Sequence, residues 1–156
     1  MKRAISPIFV VFFLFLCTAA GQEKKDADPL TVDSQWKGKL TQKGKIGGMK
    51  DIPPEFETVL VVTKRMDNDF ECELREKVGE SFVTYLCKGK VAPGDKGSFK
   101  VDFKSTAVKS ANETFVSVPQ VPYTGTISGK TLKGTWKLSA PKDDTEIEGE
   151  FNFEKQ

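Results

Sequence analysis

From residue 34 onward, apolar and small side chains recur at every second position of this chain. In the clearest run, Ile147, Gly149, Phe151 and Phe153 are separated from one another by glutamate or asparagine. A period of two with one apolar face is typical of antiparallel strands that cover a core on one side and face water on the other. Helical spacing is nearly absent after residue 21, so the sequence predicts an all-β domain.

Short strands follow one another at regular intervals. Turn-forming residues recur about every ten positions, at 67–69, 79–80, 93–95, 129–130 and 141–144. The strands predicted between them cover residues 34–41, 56–65, 69–77, 82–90, 98–104, 113–118, 121–128, 131–139 and 146–154. This spacing predicts a single antiparallel up-and-down β-barrel of about eight or nine strands, with a β-sandwich as the alternative.

Residues 1–21 have the organisation of a secretory signal peptide. Two basic residues precede an unbroken apolar run over 8–16, and small residues follow at 18–21. The run is too short for a membrane-spanning helix. We therefore expect cleavage near Ala20 or Gly21 and a secreted or periplasmic protein.

Two further predictions concern the segment around this cleavage site. Lipid anchoring at Cys17 is disfavoured because Leu16, rather than a small residue, precedes the cysteine. Residues 22–33 are polar and charged, which predicts a disordered leader. The barrel domain then covers residues 34–156.

The first of two hairpins with an assignable register contains both cysteines that follow the signal peptide. A two-residue turn at 79–80 places Cys72 directly opposite Cys87, and the Cα atoms of opposed residues lie about 4.5–5.5 Å apart, within the disulfide range. We expect a Cys72–Cys87 disulfide, which closes a loop of about 15 residues and stabilises the fold by about 3 kcal/mol. Two buried free thiols are the alternative. The same register aligns Leu74 with Tyr85 and Phe70 with Gly89.

The second hairpin turns at 129–130, where glycine at the first central position fits a type II′ turn. Opposed glycines in this hairpin would bend the sheet sharply, as a barrel requires, while an aromatic side chain covers the bare backbone. The other interpretation is that the space beside the glycines accommodates a ligand. The register aligns Ile127 with Leu132, Gly125 with Gly134 and Tyr123 with Trp136.

Composition excludes several classes of function. The chain has 24 basic and 22 acidic side chains, and without Lys2 and Arg3 of the signal peptide its net charge is zero. The interleaved charges predict no nucleic-acid partner, no polybasic membrane surface and no membrane insertion. No histidine occurs, which removes the commonest general base and the commonest metal ligand. We expect no catalytic residues, no metal and no cofactor, with a carboxylate-based hydrolase as the remaining enzymatic alternative.

Aromatic residues on the apolar strand faces are the candidates for ligand binding. They are Trp36, Tyr85, Phe99, Phe103, Tyr123, Trp136 and Phe151. A barrel of about eight strands is just wide enough to be filled by its own side chains or to hold one small ligand. A lined cavity and a filled core use the same residues, so both alternatives stay open.

The number of strands, Trp36 in the first strand and a final strand that ends the domain together resemble the calycin-type barrels, which include lipocalins, fatty-acid-binding proteins and avidin-like proteins. The resemblance covers roughly Ser34 to Lys155 and is one of architecture. Ser34 stands where the lipocalin pattern has glycine two residues before the tryptophan. The arginine that packs over this tryptophan in lipocalins has no counterpart in the last strand, whose only basic residue is Lys155.

Two functions follow from these alternatives. The first is an exported, non-enzymatic barrel that binds a small apolar or aromatic ligand in its interior. The second is a filled-core interaction module that contacts a protein or glycan through its loops, for which residues 42–54 and 104–112 are the candidates.

Overall fold

The computed structural model describes residues 29–47, 49, 52–109 and 114–156. The expected signal peptide and residues 22–28 of the expected leader lie outside the described residues. Ten strands form most of the described chain, with short 3₁₀ turns at Asp95–Gly97 and Pro141–Asp143. The strands are β1 (Gln35–Thr41), β2 (Lys43–Lys45), β3 (Glu55–Met66), β4 (Asp69–Val78), β5 (Ser81–Pro93), β6 (Phe99–Lys109), β7 (Phe115–Ser117), β8 (Pro122–Ser128), β9 (Thr131–Ala140) and β10 (Thr145–Lys155).

Eight of these strands close into an antiparallel barrel. They pair in the order β1-β3-β4-β5-β6-β8-β9-β10, and β10 pairs back with β1. Strand β2 pairs with β10 beyond the end of β1, and β7 pairs with β6 beyond the start of β8. Neighbours in the barrel are successive along the chain, so the predicted up-and-down barrel is confirmed and the sandwich alternative is excluded.

Two strand assignments differ from the prediction. Strand β2 was not predicted, and β6 continues to Lys109 instead of ending at residue 104. In β6, Thr106 is an extra residue: Ser105 pairs with Cys87 and Ala107 pairs with Leu86. This bulge breaks the alternation by which a strand is recognised. The prediction of loops over 42–54 and 104–112 was therefore wrong for the segments that belong to β2 and β6.

Both predicted hairpin registers are confirmed. In the first hairpin Cys72 pairs with Cys87, and in the second Gly125 pairs with Gly134. Gly129 has a φ of 59°, as the first central position of a type II′ turn requires. The other predicted pairs also form: Leu74 with Tyr85, Phe70 with Gly89, Ile127 with Leu132 and Tyr123 with Trp136.

One row of residues crosses six consecutive barrel strands and determines how the core packs. We call it the aromatic row: Phe70, Gly89, Phe103, Tyr123, Trp136 and Gly149. Gly89 separates Phe70 from Phe103, and the two rings approach across it to a centroid distance of 6.1 Å. A Cβ atom at Gly89 would lie 2.4 Å from the Cβ of Phe103, so only glycine fits here.

The end of the barrel at which β1 begins is covered by the chain that precedes it. Leu30 is 1% exposed, and the backbone N–H of Asp33 donates to the carbonyl of Val62. Residues 29–33, which sequence analysis assigned to the leader, thus pack against the barrel. We call this the closed end, and the opposite end, where β4 turns into β5, the hairpin end.

Lys155 ties this covering segment to the first strand. Its Nζ donates to the carbonyl of Pro29 at 2.7 Å and lies 5.8 Å from the centroid of the Trp36 ring, close enough for a cation–π interaction. The two residues are directly opposed in the β1–β10 pair. The last strand thus has no arginine over the tryptophan, as the sequence analysis states, but it places Lys155 there instead.

Candidate functional site

Four of the seven aromatic candidates form one continuous cluster inside the barrel. Phe103, Tyr123, Trp136 and Phe151 have neighbouring ring centroids 4.7–6.2 Å apart, and each is at most 8% exposed. Phe103 and Tyr123 are stacked with an interplanar angle of 1°. These direct contacts fill the barrel at the level of the aromatic row.

The ring of Phe151 lies beside the paired glycines Gly125 and Gly134. A Cβ atom at Gly134 would lie 2.5 Å from the Cζ of Phe151, and one at Gly125 would lie 2.9 Å from the same atom. The ring therefore covers the bare backbone of the glycine pair. The space that one interpretation reserved for a ligand is occupied by this side chain.

The other three candidates lie outside the aromatic cluster. Trp36 is fully buried near the closed end, under Lys155. Tyr85 and Phe99 are partly buried and pack against the core. The seven residues thus do not line one common space.

Glu76 is a residue of the barrel interior that sequence analysis missed. Phe70, Cys72 and Leu74 of β4 are buried, and the period of two continues this inward face to Glu76 and then Val78. Glu76 is directly opposed to Thr58 on β3 and to Val83 on β5. The period of two that runs from Phe70 to Glu76 is visible in the sequence and predicts that Glu76 faces inward.

The carboxyl group of Glu76 has no hydrogen-bond or ion-pair partner among the described residues. Burial raises its pKa from 4.5 to about 7, because a partly desolvated carboxylate without a partner favours its neutral form. The charge of Glu76 acts on two of the aromatic candidates. Burial is the largest cause and the negative charge of Glu76 the next: they raise the pKa of Tyr85 to about 12 and that of Tyr123 well above its usual value.

Half-exposed apolar side chains surround the hairpin end. Val78 is 46% exposed at the end of the inward face of β4, and Val116 of β7 is 47% exposed. Val116 aligns through Val108 with Tyr85, so it continues the inward-facing row of Tyr85. Val83 is partly buried and directly opposed to Glu76. We call Val78, Val83 and Val116, the valines at inward positions of this end, the apolar rim.

A second interior polar group also lacks a partner. The indole Nε1 of Trp36 is buried and donates no hydrogen bond to any described residue. The indole of Trp136, in contrast, donates to the carbonyl of Thr41 at 3.0 Å. Buried polar groups are nearly always hydrogen-bonded in proteins, so each exception needs an explanation.

The two cysteines lie between Glu76 and the aromatic row. Cys72 and Cys87 are free thiols, fully buried and directly opposed. The hydrogen bond between Cys72 and Cys87, and then burial, raise the pKa of the Cys72 thiol well above its usual value. The pairing geometry matches the expected register, and the disulfide itself stays a prediction.

Two grooves of similar size lie on the outer face of the barrel. The first has a volume of about 660 Å³ and the second about 650 Å³, and they meet at Pro122 and Thr124. Lysines and acidic residues alternate along the first groove. Lys88 and Lys104 are directly opposed, and Lys88 pairs with Glu71 at 3.1 Å.

Neither a metal site nor a spanning helix occurs in the described part of the chain. No group of three or more Cys, Asp or Glu residues could hold a metal ion there. None of the helices in residues 29–47, 52–109 and 114–156 is long and apolar enough to cross a membrane. Comparisons of the chain with protein-family models, with curated proteins and with solved structures give no match.

Proposed function

We propose that this chain is an exported, non-enzymatic β-barrel that binds a small apolar or aromatic ligand between the aromatic row and the hairpin end. The observation that carries the proposal is Glu76, an inward-facing carboxyl group without a partner. A group of this kind costs stability unless something satisfies it. Perturbed, unpaired titratable groups of this kind concentrate at functional sites.

Exposed apolar side chains at the hairpin end support the same location. Leu30 and the residues beside it cover the closed end. At the hairpin end Val78 and Val116 are nearly half exposed. Exposed apolar groups can mark interaction sites, so we place the entry of the ligand beside Val78 and Val116.

A titration with a neutral aromatic ligand tests this location. Adding 2-naphthol to ¹⁵N-labelled protein should shift the amide signals of Val83, Tyr85 and Val116. Val116→Trp should weaken binding by filling the rim, while Met66→Trp on the outer groove should leave the affinity unchanged. Shifts confined to the outer groove, or equal effects of both variants, would refute the interior site.

The second candidate is a filled-core module that contacts a protein partner on its outer face. Its supporting observation is the first groove, whose lining holds four lysines against three acidic residues, with Lys88 and Lys104 directly opposed. Lys88 pairs with Glu71 at 3.1 Å. Directly opposed like charges are destabilising on their own, and an acidic protein surface would relieve them. The double variant Lys88→Ala/Lys104→Ala should then abolish partner binding without loss of thermal stability, whereas retained binding would refute this candidate.

A further inference from the structure

We propose that the hairpin-end site selects ligands with a protonated amine beside an apolar body, and that the carboxylate of Glu76 binds the amine. This inference rests on the proposed interior site and adds the chemical class of its ligand. A carboxylate accepts hydrogen bonds only, and its strongest partners are cationic donors. Val78, Val83 and Val116 would contact the apolar body of the same molecule.

Among the described residues, no cation faces Glu76 from inside the barrel at this end. Arg75 and Lys77, the basic residues beside Glu76, lie on the outward face of β4. Arg75 pairs with Glu73 at 2.6 Å, and Lys77 pairs with Glu57 at 3.4 Å. The negative charge of Glu76 is therefore uncompensated among the described residues, and a ligand cation would compensate it.

The groups that face Glu76 do not compete for this role. Thr58 on β3 and Val83 on β5 are directly opposed to it and carry no charge. Burial raises the pKa of Tyr85 and of Tyr123, which lie across the interior. The buried thiols of Cys72 and Cys87 are hydrogen-bonded to each other. The phenols stay neutral at physiological pH, so Glu76 is the group that changes charge there.

The direction of the pH dependence follows from this arrangement. An alkylamine remains protonated up to about pH 10, as a lysine does. The carboxylate forms as the pH rises through about 7. Amine binding should therefore strengthen between about pH 5 and pH 8.5, while the binding of a neutral ligand of the same shape should not.

Two matched pairs of small molecules separate charge from shape. The pairs are 2-phenylethylamine with 2-phenylethanol, and tryptamine with tryptophol, each titrated into ¹⁵N-labelled protein. At about pH 8.5 we expect each amine to bind at least about tenfold more tightly than its alcohol, because hydrogen bonds to charged groups are the stronger ones. The advantage should vanish at about pH 5 and in Glu76→Gln, and it should persist in Glu80→Gln, a matched change at the exposed tip of the same hairpin.

The outcomes distinguish this inference from the proposed function. If the amines and alcohols bind at the hairpin end with equal affinity, and Glu76→Gln changes nothing, the amine preference is wrong and the interior site remains. If none of the four compounds shifts the amide signals of Val83, Tyr85 or Val116, the interior site is wrong as well. An amine preference that Glu80→Gln removes would also overturn the role of Glu76.

Discussion

Replacing Glu76 with glutamine should stabilise the barrel at alkaline pH and leave its stability nearly unchanged in acid. The difference between a pKa of 4.5 and one of about 7 corresponds to about 3 kcal/mol of free energy. Glu76 is partly exposed, and solvent screening reduces the effect. We therefore expect Glu76→Gln to raise the free energy of unfolding by about 1–2 kcal/mol at about pH 8.5.

The sign follows from proton linkage. The folded protein holds the proton on Glu76 up to about pH 7, whereas an ordinary glutamate releases it near 4.5. Between these values the folded state binds more protons than the unfolded state, so the free energy of unfolding falls as the pH rises, and the loss is complete above about pH 7. Glutamine carries no titrating proton and lacks this loss.

Urea unfolding followed by tryptophan fluorescence measures the effect. With a urea dependence of about 2 kcal/mol per molar, the unfolding midpoint of Glu76→Gln should rise by about 0.5–1 M at about pH 8.5. At about pH 4 the variant and the parent should have the same midpoint. Glu80→Gln removes an exposed charge from the same hairpin and should match the parent at both pH values. A midpoint of Glu76→Gln that does not rise at alkaline pH would refute the reasoning.

Three further experiments, one mass measurement and two substitutions, test other contacts of the fold. The exported protein should have an intact mass two hydrogens below that of the dithiol, because Cys72 and Cys87 are directly opposed; a mass that reductant does not change would contradict the disulfide. Gly89→Ala should lower the free energy of unfolding by about 1–3 kcal/mol, because its Cβ would lie 2.4 Å from that of Phe103, and an unchanged urea midpoint would count against the aromatic row. Lys155→Met should cost about 1–2 kcal/mol and speed amide exchange over residues 30–34, because it removes the cation over the first-strand tryptophan; unchanged exchange would disprove that role.

The strand pattern was predictable wherever one strand face is apolar and the connecting turn is short. The hairpin around Gly129 is an example, since both its turn type and its register followed from the residues. Strand β2 was not predictable in this way, because Lys43, Gly44 and Lys45 are all exposed. Its pairing depends on the free edge of β10 beyond the end of β1, which only the closed barrel provides.

The candidate site was predictable in part. The aromatic residues were identified, but the contacts among them depend on the row that joins β4 to β10, and no local pattern specifies the register between all six strands. The contact of Lys155 with Trp36 likewise requires the barrel to close. Glu76 was within reach of the sequence, because it continues the inward spacing of Cys72 and Leu74.

Some inward strand positions of this barrel hold charged residues, where the alternating pattern otherwise places apolar side chains. Near the closed end, Arg65 aligns with the inward-facing Phe70 and donates to the carbonyl of Asp69, and Lys155 is held by the Pro29 carbonyl and the Trp36 ring. Both of these cationic groups thus have hydrogen-bond or cation–π partners in the protein. Glu76 is not compensated by any described residue, although exchanging it for a neutral side chain would stabilise the fold at neutral pH. Local patterns that are broken without a compensating gain in stability are expected at functional sites, and the proposed site uses this break by giving the partnerless carboxyl group of Glu76 a ligand.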